Sequence, residues 1–227
     1  MAQKKFIPGY FIDNKKEKIN CLIINEGWIY NPTTFRYKIG EKDKVQVGLL
    51  AEVKEFCIPN LFKYVRDTVD IDRSSDLLDD NEMSNSSAPE WHRELLFLKV
   101  LVEGNNSLYC YEEVNFMRFF FRVKDQNLQQ LIYKKFRPGG GVNFLFNKEY
   151  INQLEEISSF KEIDKSKVEN INYAEKELKN YFLFINECGG DTSIVYGKKA
   201  RRWFSIKPMV GFNICSLKTG NGIDSSV

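Results

Sequence analysis

The strongest constraint on the fold is a period-two alternation of apolar and polar residues through about residues 6–137. Phe, Tyr, Val and Ile fill the apolar positions, and these side chains suit the pleated, half-buried surface of a β-sheet. After "RPGGGVN" at 137–143 the apolar period becomes that of a helix. The sequence therefore predicts an α+β protein, with a mostly antiparallel β domain at 6–137 and an αα-hairpin at 147–188.

Two hairpins can be placed near the start of the β domain. "GYFIDNKKEKINCLII" predicts two strands around a polar turn at 14–18. "TFRYKIGEKDKVQVGL" predicts a second hairpin across "GEKD". Its strands are expected to face each other through six apolar residues: Phe35, Tyr37 and Ile39 against Val45, Val47 and Leu49.

One later strand, "FMRFFFRVK", is apolar on both faces because Phe119, Phe120 and Phe121 are consecutive. Either both faces are buried, with the helices as cover, or one ring is exposed as a stacking platform for nucleic acid or sugar. We favour burial, since no excess of basic residues accompanies the rings.

The helical part divides into two amphipathic segments. Ser166 and Glu169 have the spacing of a capping box ahead of the second helix, and Gly189 and Gly190 are expected to end it. The apolar faces of the two segments comprise Tyr150, Leu154, Ile157 and Phe160, then Val168, Ile171, Leu178, Phe182 and Ile185.

Charge and composition exclude some functions. Thirty-three Lys and Arg against 31 Asp and Glu give a net charge of +2, too small a basic field to predict a nucleic-acid partner. No run of 18 apolar residues exists, so no transmembrane helix is expected. The cysteines show no C-x-x-C pair and are interpreted as small buried residues, with at most one or two disulfides in an oxidising compartment: Cys21, Cys57, Cys110, Cys188 and Cys215.

The search for catalytic chemistry yields no coherent set. His92 is the only histidine, which removes most zinc sites and the usual base for a nucleophile. "DIDRSSDLLDDNE" places Asp70, Asp72, Ser74 and Asp76 at calcium-loop spacing but lacks the required Gly and Glu, so we interpret it as an acidic loop. We expect no enzymatic activity, no cofactor and no metal.

The last apolar alternation, at 203–215, predicts a C-terminal strand. Eleven residues, 204–214, are enough to cross an outer membrane at a tilt of about 45°. The strand is therefore either the first strand of a membrane barrel or an edge strand of the globular domain. The side chains that would face lipid in the first case are Phe204, Ile206, Val210, Phe212 and Ile214.

Several segments resemble a family of Bacteroidota outer-membrane β-barrel proteins of unassigned function. They are "GYFIDNKKEKINCLIINEGWIYNPTTFRYKIG", "EVKEFCI", "KYVRDTVDIDRS", "FLKVLVEGNNSLYCY" and "FSIKPMVGFN". In that family a signal peptide precedes a β-rich periplasmic region, a helical segment and a porin-like barrel. Here the signal peptide is missing and the chain stops after the first barrel strand, as an excised region would.

The resemblance implies a periplasmic location, with attachment to the outer membrane through a barrel that this chain lacks. Together with the lack of catalytic motifs, it leads us to expect a non-catalytic interaction module with an envelope protein partner. The alternative is a small-ligand or glycan-binding domain that uses the aromatic residues of the sheet.

Overall fold

The computed structural model describes residues 5–75, 83–140, 143–158 and 165–197. The first half of the described chain is almost entirely β-structure. Its strands are β1 (Phe6–Asp13), β2 (Lys18–Ile24), β3 (Thr34–Lys38), β4 (Gln46–Leu49), β5 (Val53–Ile58), β6 (Phe62–Asp72), β7 (Trp91–Glu103), β8 (Asn106–Glu113) and β9 (Phe116–Val123).

The second half of the described chain mixes short strands with helices. The strands are β10 (Gln129–Gln130), β11 (Lys134–Phe136), β12 (Leu145–Asn147) and β13 (Ile194–Val195). The helices are α1 (Tyr150–Ile157), α2 (Lys165–Glu169) and α3 (Glu175–Cys188). The predicted C-terminal strand at 203–215 lies outside the described residues.

In the described ranges, eleven strands form one antiparallel sheet, in the order β10-β9-β8-β7-β6-β5-β1-β2-β3-β4 with β13 beside β7. The remaining two, β11 and β12, form a separate antiparallel ribbon. The prediction of a mostly antiparallel β protein with few helices is confirmed.

The sheet curls, so that strands far apart in its order meet. Two strands separate β6 from β9, yet Arg122 Nη2 lies 2.5 Å from Asp67 Oδ2, and Arg118 Nε donates to the Asp72 carbonyl at 3.0 Å. Gln130 of β10 accepts the Asp72 N–H at 2.8 Å. The curl therefore closes the β6–β10 half of the sheet on itself.

Three apolar clusters occupy the two faces of the sheet. On the inside of the curl lies the inner cluster, which includes Ile71, Leu98, Tyr109 and Phe120. The other face holds two clusters. The helix-side cluster packs Leu108, Cys110, Phe119 and Phe121 under α1–α3, and the loop-side cluster gathers Phe11, Ile23, Phe35, Phe56, Tyr64 and Phe97.

The consecutive rings of β9 show why both faces need cover. Phe119 and Phe121 are buried in the helix-side cluster, and Phe120 is buried in the inner cluster. The predicted burial of all three is confirmed. The helices cover only one face, and the curl of the sheet covers the other.

The predicted second helix is broken in two. Ser166 lies inside α2, whereas α3 begins after Ala174, so the predicted capping box does not precede the long helix. Glu177, in the first turn of α3, instead accepts the Asn172 N–H at 2.6 Å. The break lets Tyr173 enter the core, where its hydroxyl accepts the Phe119 N–H at 3.0 Å and donates to the Leu131 carbonyl at 2.9 Å.

The β3–β4 hairpin forms, but its predicted register is wrong by one residue. Phe35 pairs with Gly48 and Arg36 with Val47, so Val47 and Leu49 lie on the face opposite Phe35. A one-residue shift exchanges the faces of a strand. The reason is Phe35 itself, because a Cβ at position 48 would lie 2.3 Å from its ring and only glycine fits there.

Gly9 offers a test of the packing between β1 and β5. A Cβ at position 9 would lie 2.5 Å from the Cys57 carbonyl oxygen, which belongs to the backbone and cannot rotate away. We expect Gly9→Ala to lower the free energy of unfolding by about 1–3 kcal/mol. Asn20→Ala, at an exposed position of the adjoining β2, should stay within about 0.5 kcal/mol of the wild type in urea melts. Equal stability of both variants would contradict the tight contact.

Candidate functional site

The best-formed polar cluster of the described chain surrounds Lys63 on β6, which is 9% exposed. Its ammonium lies 2.7 Å from Glu103 Oε1 and 3.2 Å from Glu55 Oε2. Each carboxylate also accepts a tyrosine hydroxyl, from Tyr10 to Glu55 at 2.7 Å and from Tyr196 to Glu103 at 2.8 Å. We call these five residues the Lys63 cluster. It joins β1, β5, β6 and β7 to the segment at Tyr196.

The Lys63 cluster holds charge instead of activating it. Burial of the ammonium favours its neutral form, but the hydrogen bond to Glu103 and the charges of both carboxylates outweigh that effect and raise the pKa of Lys63. A nucleophilic lysine needs a lowered pKa. Burial and the hydrogen bonds to the carboxylates also raise the pKa of Tyr10 and Tyr196. The arrangement is that of a structural ion network.

The register of β3 and β4 creates a second feature, an exposed apolar surface at the end of the sheet. β4 is the last strand in the sheet order, so one side of its backbone has no strand beside it among the described elements. The side chains around this edge are between 42% and 75% exposed. We call them the edge patch: Ile29, Tyr30, Val45, Val47 and Leu49.

The loop at 25–33, which contributes Ile29 and Tyr30, is held firmly by two buried anchors. Trp28 packs edge-on against Phe56, Phe62 and Tyr64, with ring centroids 5.3–6.0 Å apart. Its other anchor is Asn31. The exposed residues between the anchors are therefore presented by a fixed scaffold.

Asn31 fills a gap in the sheet. Its amide donates to the carbonyls of Phe97 at 2.8 Å and Cys110 at 3.0 Å, and its oxygen accepts the Glu112 N–H at 3.1 Å. These groups belong to β7 and β8, whose recorded pairing stops at Lys99 and Cys110. One side chain thus replaces a missing segment of strand pairing.

A cavity of about 690 Å³ lies between this loop and the hairpin. Its lining includes Trp28, Ile29, Tyr30 and Val47, together with an ion pair in which Arg36 Nε lies 2.7 Å from Glu26 Oε1. Exposed edge strands accept an added strand by main-chain hydrogen bonding, while neighbouring pockets select its side chains. The edge patch is therefore suited to an extended peptide segment with apolar side chains.

A third feature, the seam cleft, lies where β10 approaches β6. It has a volume of about 410 Å³. Asp70 and Trp91, from β6 and β7, line one wall, while the other walls are formed by residues after β9 and by α1. Those residues are Leu128, Gln129, Gln130, Ile132 and Gln153.

The residues of the predicted calcium-loop pattern do not converge on a common point. Asp72 is fully buried, and its Oδ1 accepts the backbone N–H groups of Ser74 and Glu90 at 3.0 and 2.8 Å. Asp70 is exposed and pairs with Arg93 at 3.3 Å, and Asp76 lies outside the described residues. In the described ranges, no group of three or more His, Cys, Asp or Glu side chains is placed to hold a metal ion.

The other predicted residues are placed as follows. His92 is exposed on β7. Cys21, Cys57 and Cys110 are buried free thiols, which confirms their interpretation as small core residues, and burial raises the pKa of Cys21 and Cys57 to about 11. Such thiols are poorly reactive at neutral pH. The five residues predicted to face lipid, from Phe204 to Ile214, lie outside the described part of the chain.

No known family model matches this chain, and neither a curated protein nor a solved structure does so. No helix in the described ranges is long and apolar enough to cross a lipid bilayer.

Replacement of Asn31 tests whether it holds the loop and the gap between β7 and β8. Asn31→Ala leaves two carbonyls and one N–H without their partner, so we expect the free energy of unfolding to fall by at least about 2 kcal/mol. Limited proteolysis should then cut the loop at 25–33. Asn25→Ala is the matched control, because Asn25 only accepts the nearby exposed Gly27 N–H. An Asn31 variant as stable and as protease-resistant as the control would refute the anchoring role.

Lys63→Met tests the Lys63 cluster, because it leaves two carboxylates without their shared cation. We expect a loss of about 3 kcal/mol in urea unfolding, against little change for Lys54→Met on the neighbouring β5. Since the pKa of Lys63 is raised in the fold, its stabilisation is present below its ordinary pKa and is lost as the pH rises through the raised value. The wild type should therefore lose stability above about pH 10, with a shallower dependence in the variant. Identical alkaline profiles would count against this role.

Proposed function

We propose that the protein is a non-catalytic interaction module in the periplasm, part of an outer-membrane protein, and that it binds an envelope protein partner at the edge patch. The observation that carries the proposal is the exposed apolar edge of β4. Natural sheets protect their edge strands with charges, prolines or cover. Here Val45, Val47 and Leu49 leave the edge apolar on its outer side, beside the rigid loop of Ile29 and Tyr30.

The finer architecture expected from the sequence belongs to the same proposal. It consists of the helical hairpin at 147–188 and a strand at 203–215 that leads into an outer-membrane barrel. The support is the resemblance of the segments at 9–40 and 203–215 to the Bacteroidota barrel family, together with the apolar alternation of 204–214. The proposal includes no nucleic-acid partner, because the net charge is only +2.

A second candidate function, the binding of a glycan or another small ligand, is supported by the seam cleft instead of the edge patch. Trp91 is 48% exposed there, beside a carboxylate and three glutamine side chains. The two functions use different ends of the sheet and are compatible with each other.

Site-specific photocrosslinking in cells of the native host tests the protein-binding proposal. A photoreactive residue at Val47 should give a protein adduct in the envelope fraction. The same residue at Val114, an equally apolar position that is 66% exposed in the turn between β8 and β9, should not. Adducts of equal yield at both positions, or adducts with cytosolic proteins alone, would contradict the proposal.

The partner identified in this way must also bind the purified protein. Val47→Lys places a charge at the strand edge, and we expect it to weaken binding at least tenfold, whereas Val114→Lys should leave binding unchanged. Matching circular dichroism spectra of the two lysine variants would show that neither is unfolded. Equal affinities of the two variants would overturn the assignment of the edge patch.

A further inference from the structure

We propose that the seam cleft binds a neutral, hydroxyl-rich ligand, and we identify that ligand as a segment of a glycan chain. The cleft exists because the curl of the sheet brings β10 up to β6 without strand pairing between them. Its volume of about 410 Å³ falls in the range of small-ligand sites, roughly 300–1,000 Å³. The proposal deepens the second candidate function and does not depend on the edge patch.

The wall formed by β10 and α1 is pre-organised. Gln153 of α1 accepts the Ile132 N–H at 2.8 Å and donates to the Gln130 carbonyl at 3.0 Å. Both ends of this amide are occupied, so it fixes the backbone at 130–132 against the helix. A ligand therefore meets a wall that requires little ordering when it binds.

One buried amide in the lining has an unused donor. Gln130 is 4% exposed, and its Oε1 accepts the Asp72 N–H, while its Nε2 has no hydrogen-bond partner among the described residues. A buried N–H group without a partner costs about 1–3 kcal/mol. A hydroxyl oxygen of a ligand, or a water that a ligand orders, would satisfy it.

The opposite wall supplies an aromatic surface and an acceptor. Trp91 lies on the same face of the sheet as Asp70, since Asp70 pairs with Arg93 and Asp72 with Trp91 along neighbouring strands. Indole rings bind the C–H faces of sugars through apolar contact, and a carboxylate accepts hydrogen bonds from two hydroxyl groups at once. Gln129, which is exposed beside them, offers both a donor and an acceptor.

The charge of the lining separates a glycan from other ligands. Asp70 is the one ionisable residue in the lining, and the nearby Arg93 guanidinium already pairs with it. A phosphate or another anion would meet a carboxylate and no unpaired cation. Amides, one partly neutralised carboxylate and an indole together match hydroxyl groups and the apolar faces between them.

The experiment uses the full chain and an array of neutral and anionic oligosaccharides, and the strongest neutral glycan is then titrated by calorimetry. We expect Trp91→Ala to weaken its binding at least tenfold and Gln129→Ala to weaken it severalfold. Leu95→Ala is the matched control, because Leu95 is 42% exposed on the same strand and outside the cleft. It should bind with the affinity of the wild type, and all three variants should melt at similar temperatures.

Three results would overturn the proposal: no binding of any neutral glycan, binding of anionic glycans alone, or an affinity that Trp91→Ala leaves unchanged. Competition by an unstructured peptide at the same residues would assign the cleft to a protein ligand and would also overturn it. Photocrosslinking at Val47 should proceed equally well in the Trp91 variant. Failure of the glycan proposal is thereby distinguished from failure of the protein-binding proposal.

Discussion

The architecture depends on the need to bury both faces of the same central strands. In β9, Phe119 and Phe121 point to one face and Phe120 to the other, and all three are at most 6% exposed. An antiparallel sheet with one apolar face needs cover on that face only. With two apolar faces, the sheet receives helices on one side and folds back on itself on the other. The buried Arg118 belongs to that closure, since it donates to the carbonyls of Asp72 and Ser74 across the curl.

The sequence predicted the strands well where periodicity alone decides, and failed where a single contact decides. The β1–β2 hairpin and the triple Phe of β9 follow from their apolar patterns. The register of β3 and β4 depends on Phe35 requiring a glycine opposite, a tertiary contact that alternation does not encode. Gly48 inside a strand pattern was the available signal, because such a glycine often marks close approach of another group. The break before α3 likewise follows from Asn172 and Tyr173, whose partners are distant or local side-chain groups.

The candidate sites were harder to foresee because they arise where the regular sheet ends. The edge patch exists only in the observed register, since in the predicted one Val47 and Leu49 would lie with Phe35 in the core. The seam cleft needs β10 to meet β6, which are more than fifty residues apart in the chain. Asn31, which holds the loop of the edge patch, bonds to the backbone of β7 and β8, and nothing in its local sequence indicates those partners.

The Lys63 cluster adds a different kind of constraint, because its charges are costly to bury and must all be satisfied together. Five residues from five parts of the chain meet there, and the last of them, Tyr196, lies beside β13. β13 itself pairs through only two residues, too few to hold a chain segment by backbone bonding alone. The hydrogen bond from Tyr196 to Glu103 therefore fixes this segment to the sheet through side chains. Because Glu103 also binds Lys63, the position of Tyr196 is coupled to the packing of β1, β5 and β6.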